Sequence, residues 1–226
     1  MKQSKKKLSV GVLASGSGTD LQSIIDASES GLIDAKVVVV ISDRSDAYAL
    51  SRAKKHQIPG FFVNPDGKDR TGHESEIDMV LRTHQVDLVV GAGFMRLLSP
   101  SFVKKWYGRI INIHPSLLPS FKGTNGQRDA LEYGAKLSGC TTHFMDTEMD
   151  HGPIILQAAV MVHAADDRDA LANRILAVEH QILPRTVQLF AQNRLHIQGR
   201  KVIILPGDSW KKKHKVLPDV LYSEGY

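Results

Sequence analysis

Two polar residues, Asn112 and His114, interrupt an apolar run in "RIINIHPSLLPSFKG" (Arg109 to Gly123). Residues two apart in a strand face the same side, so this carboxamide and imidazole project together. An amide donor beside a titratable ring suits a negative charge developing on a carbonyl oxygen; a hydrogen-bonded core pair is the alternative. Pro115 and Pro119 stop the strand and would hold its end open to a cleft. A second stretch, "DTEMDHGPI" (Asp146 to Ile154), packs three acids before a Gly-Pro turn. A carboxylate there could orient an imidazole or take a proton. Asp146 and Glu148 read more simply as a solvated turn, and His151 as a surface histidine. No H-x-x-x-H or C-x-x-C spacing supports a metal site.

A glycine-rich turn, "ASGSGTDLQ" (Ala14 to Gln22), lies between an apolar run and a helical pattern. Exposed amides and the dipole at a helix start favour a phosphate. Gly16 and Gly18 let a ligand approach the backbone, and Thr19 adds a hydroxyl; a bare structural turn is the alternative. The dinucleotide fingerprint G-x-G-x-x-G is not met, because Leu21 stands at its third glycine position. Asp43, ending the next apolar run, imitates a ribose-binding acid. "GAGFMRLLSP" (Gly91 to Pro100) also follows an apolar run, and its Phe94, Met95, Leu97 and Leu98 read either as core or as pocket lining.

These residues need a frame that gathers the ends of several strands. "LSVGVLA", "AKVVVVISD", "GFFVN", "VDLVVGAG" and "RIINIHP" read as strands. Between them "DLQSIIDASESG", "AYALSRAKKHQ", "HESEIDMVLRTHQ" and "SPSFVKKWYG" read as helices, the last with a serine cap and an early proline. The alternation predicts an α/β fold, a Rossmann-like, mostly parallel twisted sheet with helices on both faces. Asn112 and His114 then stand at the carboxyl end of a strand, where open α/β sheets place ligands. After residue 135 the pattern changes. "SGCTTHFMD" and "PIILQAAVMV" predict an antiparallel C-terminal portion, followed by a helix over about 168–192 and short last strands. One domain is expected over 8–200, with a basic tail at 1–7 and a C-terminal extension at 201–226.

Of the 226 residues, 42% are hydrophobic, enough for a substantial core. No stretch approaches the roughly 20 apolar residues of a membrane span. The single cysteine, Cys140, excludes an internal disulfide and fits a reducing compartment. "MKQSKKK" before "LSVGVLA" imitates a signal peptide, but Ser9 and Gly11 interrupt its apolar part. The net charge of +5 belongs to the ends: residues 8–210 hold 21 basic and 22 acidic residues, while 1–7 and "KKKHK" (Lys211 to Lys215) carry four lysines each. A folded nucleic-acid surface is not indicated, though the tails could touch a polyanion weakly.

The motifs together resemble the folate-dependent phosphoribosylglycinamide formyltransferases of purine biosynthesis. "SGSGTDLQSIID", "VISDRSDAYAL", "AGFMRLLSPSFVKKWYGRIINIHPSLLPSFKG" and "DHGPIILQAAV" carry the resemblance across about residues 8–200. It implies a formyltransferase fold and catalytic domain, with formyl transfer from the co-substrate 10-formyltetrahydrofolate to the amine of glycinamide ribonucleotide and no metal. It also implies a cytoplasmic enzyme, monomer or homodimer, with neither membrane nor specific nucleic acid as partner. By position, Asn112, His114 and Asp150 match the family's catalytic trio. Gly18, Thr19 and Asp20 match the phosphate loop, and Glu179 a ribonucleotide contact. Arg70, Met95, Arg96, Leu97, Leu98, Asn112 and Asp146 match folate contacts. Position 20 is Asp where many members have Asn, so its phosphate contact is expected through backbone N–H alone. Position 127 is Gln where a histidine is frequent, and no role is carried onto it.

Rival readings share parts of this pattern. A methionyl-tRNA formyltransferase would keep Asn112, His114 and Asp150 but is expected to carry a further C-terminal domain, which about 30 residues would not supply. A formyltetrahydrofolate hydrolase is expected to carry an added N-terminal domain. A non-catalytic nucleotide-binding module explains the sheet and the glycine turn but leaves the trio coincidental.

Overall fold

The computed structural model describes residues 6–207, 210 and 217–226. The basic stretches at 1–5 and at Lys211 to Lys215 therefore lie outside the described residues. Five strands, β1 (Leu8–Leu13), β2 (Ala35–Ser42), β3 (Gly60–Phe62), β4 (Leu88–Gly91) and β5 (Ile110–His114), pair in parallel in the order β3-β2-β1-β4-β5. Helices α1 (Thr19–Glu29), α2 (Tyr48–Lys55), α3 (Arg70–Thr83) and α4 (Pro100–Lys105) connect them. The order reverses between β1 and β4. The loops leaving those two strands thus flank a crevice at their carboxyl ends, the usual ligand position in such sheets.

Beyond β5 the sheet turns antiparallel. A short α5 (Gly126–Tyr133) leads to β6 (Leu137–Phe144), which pairs with β5 and with β7 (Ile154–Met161). The register sets Asn112 opposite His143 and His114 opposite Thr141. The long α6 (Arg168–Ala191) follows, then β8 (Leu195–Gln198), β9 (Lys201–Ile204) and β10 (Val220–Tyr222). β9 and β10 both join β7, so residues beyond 200 add strands to the same sheet.

Strand residues alternate between two cores. Val10 and Val12 pack under α1 and α6 with Leu21, Ile24, Ile175 and Ile182. Leu13 and Val39 face α3 and α4 with Ile77, Leu81, Phe102 and Trp106. The expected α/β sheet with helices on both faces and an antiparallel C-terminal part is the observed one. Two local differences have simple causes. α3 starts at Arg70 rather than His73 because Asp69 caps it, accepting from Gly72 N–H at 2.7 Å. α5 was not expected: its Asn125 cap makes no side-chain bond, so no start signal marks it.

Candidate active site

Asn112 and His114, which strand alternation puts on one face, and Asp150, which the resemblance singles out, converge at the carboxyl end of β5. His114 is 4% exposed. Its Nε2 donates to the Phe121 carbonyl at 3.0 Å, and its Nδ1 lies 3.5 Å from Asp150 Oδ2. Asp150 Oδ2 also accepts Gly123 N–H at 2.9 Å. Both residues that grip the imidazole have left-handed backbones, Phe121 at φ 51° and Asp150 at φ 48°. Such values are uncommon outside glycine and concentrate where geometry is functionally constrained. Gly152, two residues on, is required by space: an added Cβ would fall on the Phe144 carbonyl oxygen.

His143, which no local sequence pattern marks, is 2% exposed and faces Asn112 across the β5–β6 ladder. Its Nδ1 donates to the Phe144 carbonyl at 3.0 Å, which places its proton on Nδ1. The bare Nε2 accepts from Asn112 Nδ2 at 3.3 Å and lies 3.9 Å from Asp150 Oδ1. Burial pushes this imidazole below its usual range, so it is neutral near pH 7. The signal available was a histidine two residues from Thr141 in a strand expected to pair nearby.

The glycine turn sits at the start of α1. Gly18 is the cap residue at φ 68°, and a Cβ there would stand 2.8 Å from Ala49 Cβ, so glycine is needed for both reasons. α2 braces the turn: Ala49 N–H donates to Gly16 O at 3.1 Å and Arg52 Nε to Ser17 O at 2.8 Å. Ser15 is likewise unmarked by any local sequence pattern. Its hydroxyl donates to Asp43 Oδ1 at 2.6 Å and accepts Met95 N–H at 2.9 Å. Ser15 thus ties the loops after β1, β2 and β4 together. Thr19 opens α1, and the Asp20 side chain turns inward toward α6. There its Oδ1 is buried without a hydrogen bond, 3.9 Å from His180 Nε2, which is likewise unpartnered. Burial raises the Asp20 carboxyl to about 7. Glu179, 6% exposed, is pushed up by burial and by the charge of Asp20.

Met95 and Leu97 stand 64% and 56% exposed between β4 and α4, next to exposed Arg96 and half-buried Leu98. Their segment is pinned at its far end, where buried Glu74 accepts from both Ser99 N–H and Ser99 Oγ. The Asp146 carboxylate is used within its own turn, accepting Glu148 N–H at 3.0 Å and pairing with His151 Nδ1 at 2.7 Å. Arg70 is exposed in the first turn of α3, and no hydrogen bond or ion pair joins it to the other candidates among the described residues.

The formyl transferase family profile matches residues 8–187. The phosphoribosylglycinamide formyltransferase of Haemophilus influenzae is 42% identical over 190 residues, covering 84% of this chain and 90% of that protein. The trifunctional purine biosynthetic protein adenosine-3 of Homo sapiens is 43% identical over 194 residues; the match covers 85% of this chain and 19% of that protein, about a fifth of its length. The crystal structure of glycinamide ribonucleotide transformylase 1 from Symbiobacterium toebii has a TM-score of 0.87 at 48% identity, covering 89% of this chain and 95% of that one. The chain belongs to the formyl transferase family, in its phosphoribosylglycinamide formyltransferase branch.

Proposed function

We propose that the chain transfers the formyl group of 10-formyltetrahydrofolate to the amine of glycinamide ribonucleotide, a step of purine biosynthesis carried out in the cytoplasm. The observation that carries the formyl-transfer step is the Asn112–His114–Asp150 grouping at the carboxyl end of β5, and the glycine turn at the start of α1 supports the ribonucleotide as acceptor. The co-substrate supplies a formyl carbon: the amine's C–N bond replaces the bond to the folate nitrogen, and one proton passes from amine to folate. Asn112 Nδ2–H meets the negative charge that develops on the formyl oxygen. His114, once protonated on Nδ1 as well as Nε2, adds a cation at the same place, and Asp150 holds that proton by ion pairing. Asp150 is also the base within reach of the cluster for the proton the amine must lose.

The remaining candidates divide by substrate. Gly18, Thr19 and Asp20 offer the N–H groups of the α1 start to the ribonucleotide phosphate, and Glu179 accepts from its sugar hydroxyls. Exposed Met95 and Leu97 give an apolar ledge suited to a flat pterin, flanked by Arg96, Leu98 and Asp146. Arg70, exposed at the rim, suits the carboxylates of the folate tail.

Asn112→Asp tests the reading. It keeps the side-chain shape but sets an anion against a developing anion. Turnover should fall by at least about a hundredfold, the scale of one lost oxyanion donor, with thermal melting nearly unchanged. A variant that keeps half of wild-type turnover would remove the oxyanion role.

A further inference from the structure

Asn112 can serve an oxyanion only if its nitrogen, not its oxygen, points the right way, and a carboxamide is nearly symmetric in shape. Two neighbours break that symmetry. The oxygen packs on the bare Cα of Gly91: a Cβ there would stand 2.8 Å from Asn112 Oδ1. The nitrogen faces His143 Nε2 at 3.3 Å, and that nitrogen is an acceptor because Nδ1 spends its proton on the Phe144 carbonyl at 3.0 Å.

We infer that His143 is a positioning residue for formyl transfer, whose bare Nε2 fixes the orientation of the Asn112 carboxamide. One Nδ2–H is held by the imidazole, so the other has a set direction. Without an acceptor at this place the amide is free to turn over and present Oδ1 to an anion. A strand-borne histidine with its tautomer set by its own neighbour's carbonyl is a rigid support of the kind preorganised sites require. The inference rests on the oxyanion reading of Asn112, and its test separates the two.

His143→Leu removes the acceptor, and His143→Gln restores one. In His143→Leu, kcat should fall by about 10- to 100-fold, up to the scale of a lost oxyanion donor. KM for both substrates should stay within about threefold, since uniform binding is untouched. His143→Gln should recover at least about a third of the lost rate on a logarithmic scale. His143→Leu combined with Asn112→Ala should be no slower than Asn112→Ala alone, because one residue acts through the other. Losses that multiply, or a His143→Leu variant within about twofold of wild type, overturn the inference. If Asn112→Ala itself retains wild-type kcat, the oxyanion reading falls and this inference with it. A second measurement needs no damaging variant. In wild-type protein, nitrogen NMR at pH 7.5 should show His143 as the neutral tautomer with its proton on Nδ1, its signal identified by its loss in His143→Gln. A proton on Nε2 overturns the assignment.

Discussion

Asp150 is held from two sides, by Gly123 N–H at 2.9 Å and by His114 Nδ1 at 3.5 Å. Asp150→Asn keeps an acceptor for Gly123 but removes the charge that balances a protonated His114. Turnover should fall by about 10²- to 10⁴-fold, the range for a lost general acid–base group. The pH–rate profile should also change shape, because the carboxylate that faces His114 Nδ1 and serves as the proposed base is gone. A near-normal rate with an unchanged profile would reduce Asp150 to a turn residue. At this scale the sequence was partly legible. Asn112 and His114 are visible because a period of two puts them on one face. Asp150 was one acid among three in a turn, and only the family pattern singled it out. His143 and Ser15 were not visible, because their partners lie 31 and 28 residues away and are set by register and loop crossing rather than by local pattern.

At the level of elements, the start of α1 meets α6 through Asp20, Glu179 and His180. Asp20 titrates at about 7 in the folded chain because burial disfavours its charge, against 3.8 for an ordinary carboxyl. The folded state therefore binds more protons than the unfolded state between these values. Stability contributed by this group falls as pH rises from about 4 to about 7 and is level above that. Asp20→Asn should thus raise the melting temperature at pH 8 and leave it unchanged near pH 4, as read by scanning calorimetry. Above pH 7 the ionised carboxyl also adds a negative charge beside the proposed phosphate loop. KM for the ribonucleotide should rise with pH in wild type and stay flatter in Asp20→Asn. Equal pH responses in the two proteins would contradict the buried-acid account. Sequence showed that position 20 departs from the usual amide but not where its side chain goes, which depends on the packing of α1 on α6. Likewise, Asp69 moved the start of α3 by three residues, a shift that a cap makes and periodicity does not register.

Across the whole molecule, alternating strands and helices made the parallel half of the sheet readable, and the strand pair after residue 135 its antiparallel turn. The attachment of the last residues was not readable, since three strand residues carry little pattern. β10 pairs with β7, the Tyr222 and Tyr226 hydroxyls donate to Gln181 Oε1, and Arg185 Nε donates to the Gly225 carbonyl at 2.8 Å. Tyr226 is 6% exposed. Deleting residues 217–226 uncovers an aromatic side chain's worth of core, about 3–5 kcal/mol as an upper figure. The melting temperature should drop by roughly 10 °C. Because Gln181 is two residues from Glu179, KM for the ribonucleotide should rise more than KM for folate. A drop under about 2 °C would show that α6 does not depend on this strap. The choice of acceptor distinguishes formyl transfer to the ribonucleotide from its rivals. The purified chain is given 10-formyltetrahydrofolate labelled in the formyl carbon and offered glycinamide ribonucleotide, initiator tRNA or water alone. Label should appear on glycinamide ribonucleotide, one formyl transferred per tetrahydrofolate formed, with tRNA unlabelled and only slow formate release. Rapid formate release in water alone, or labelled tRNA, would contradict it.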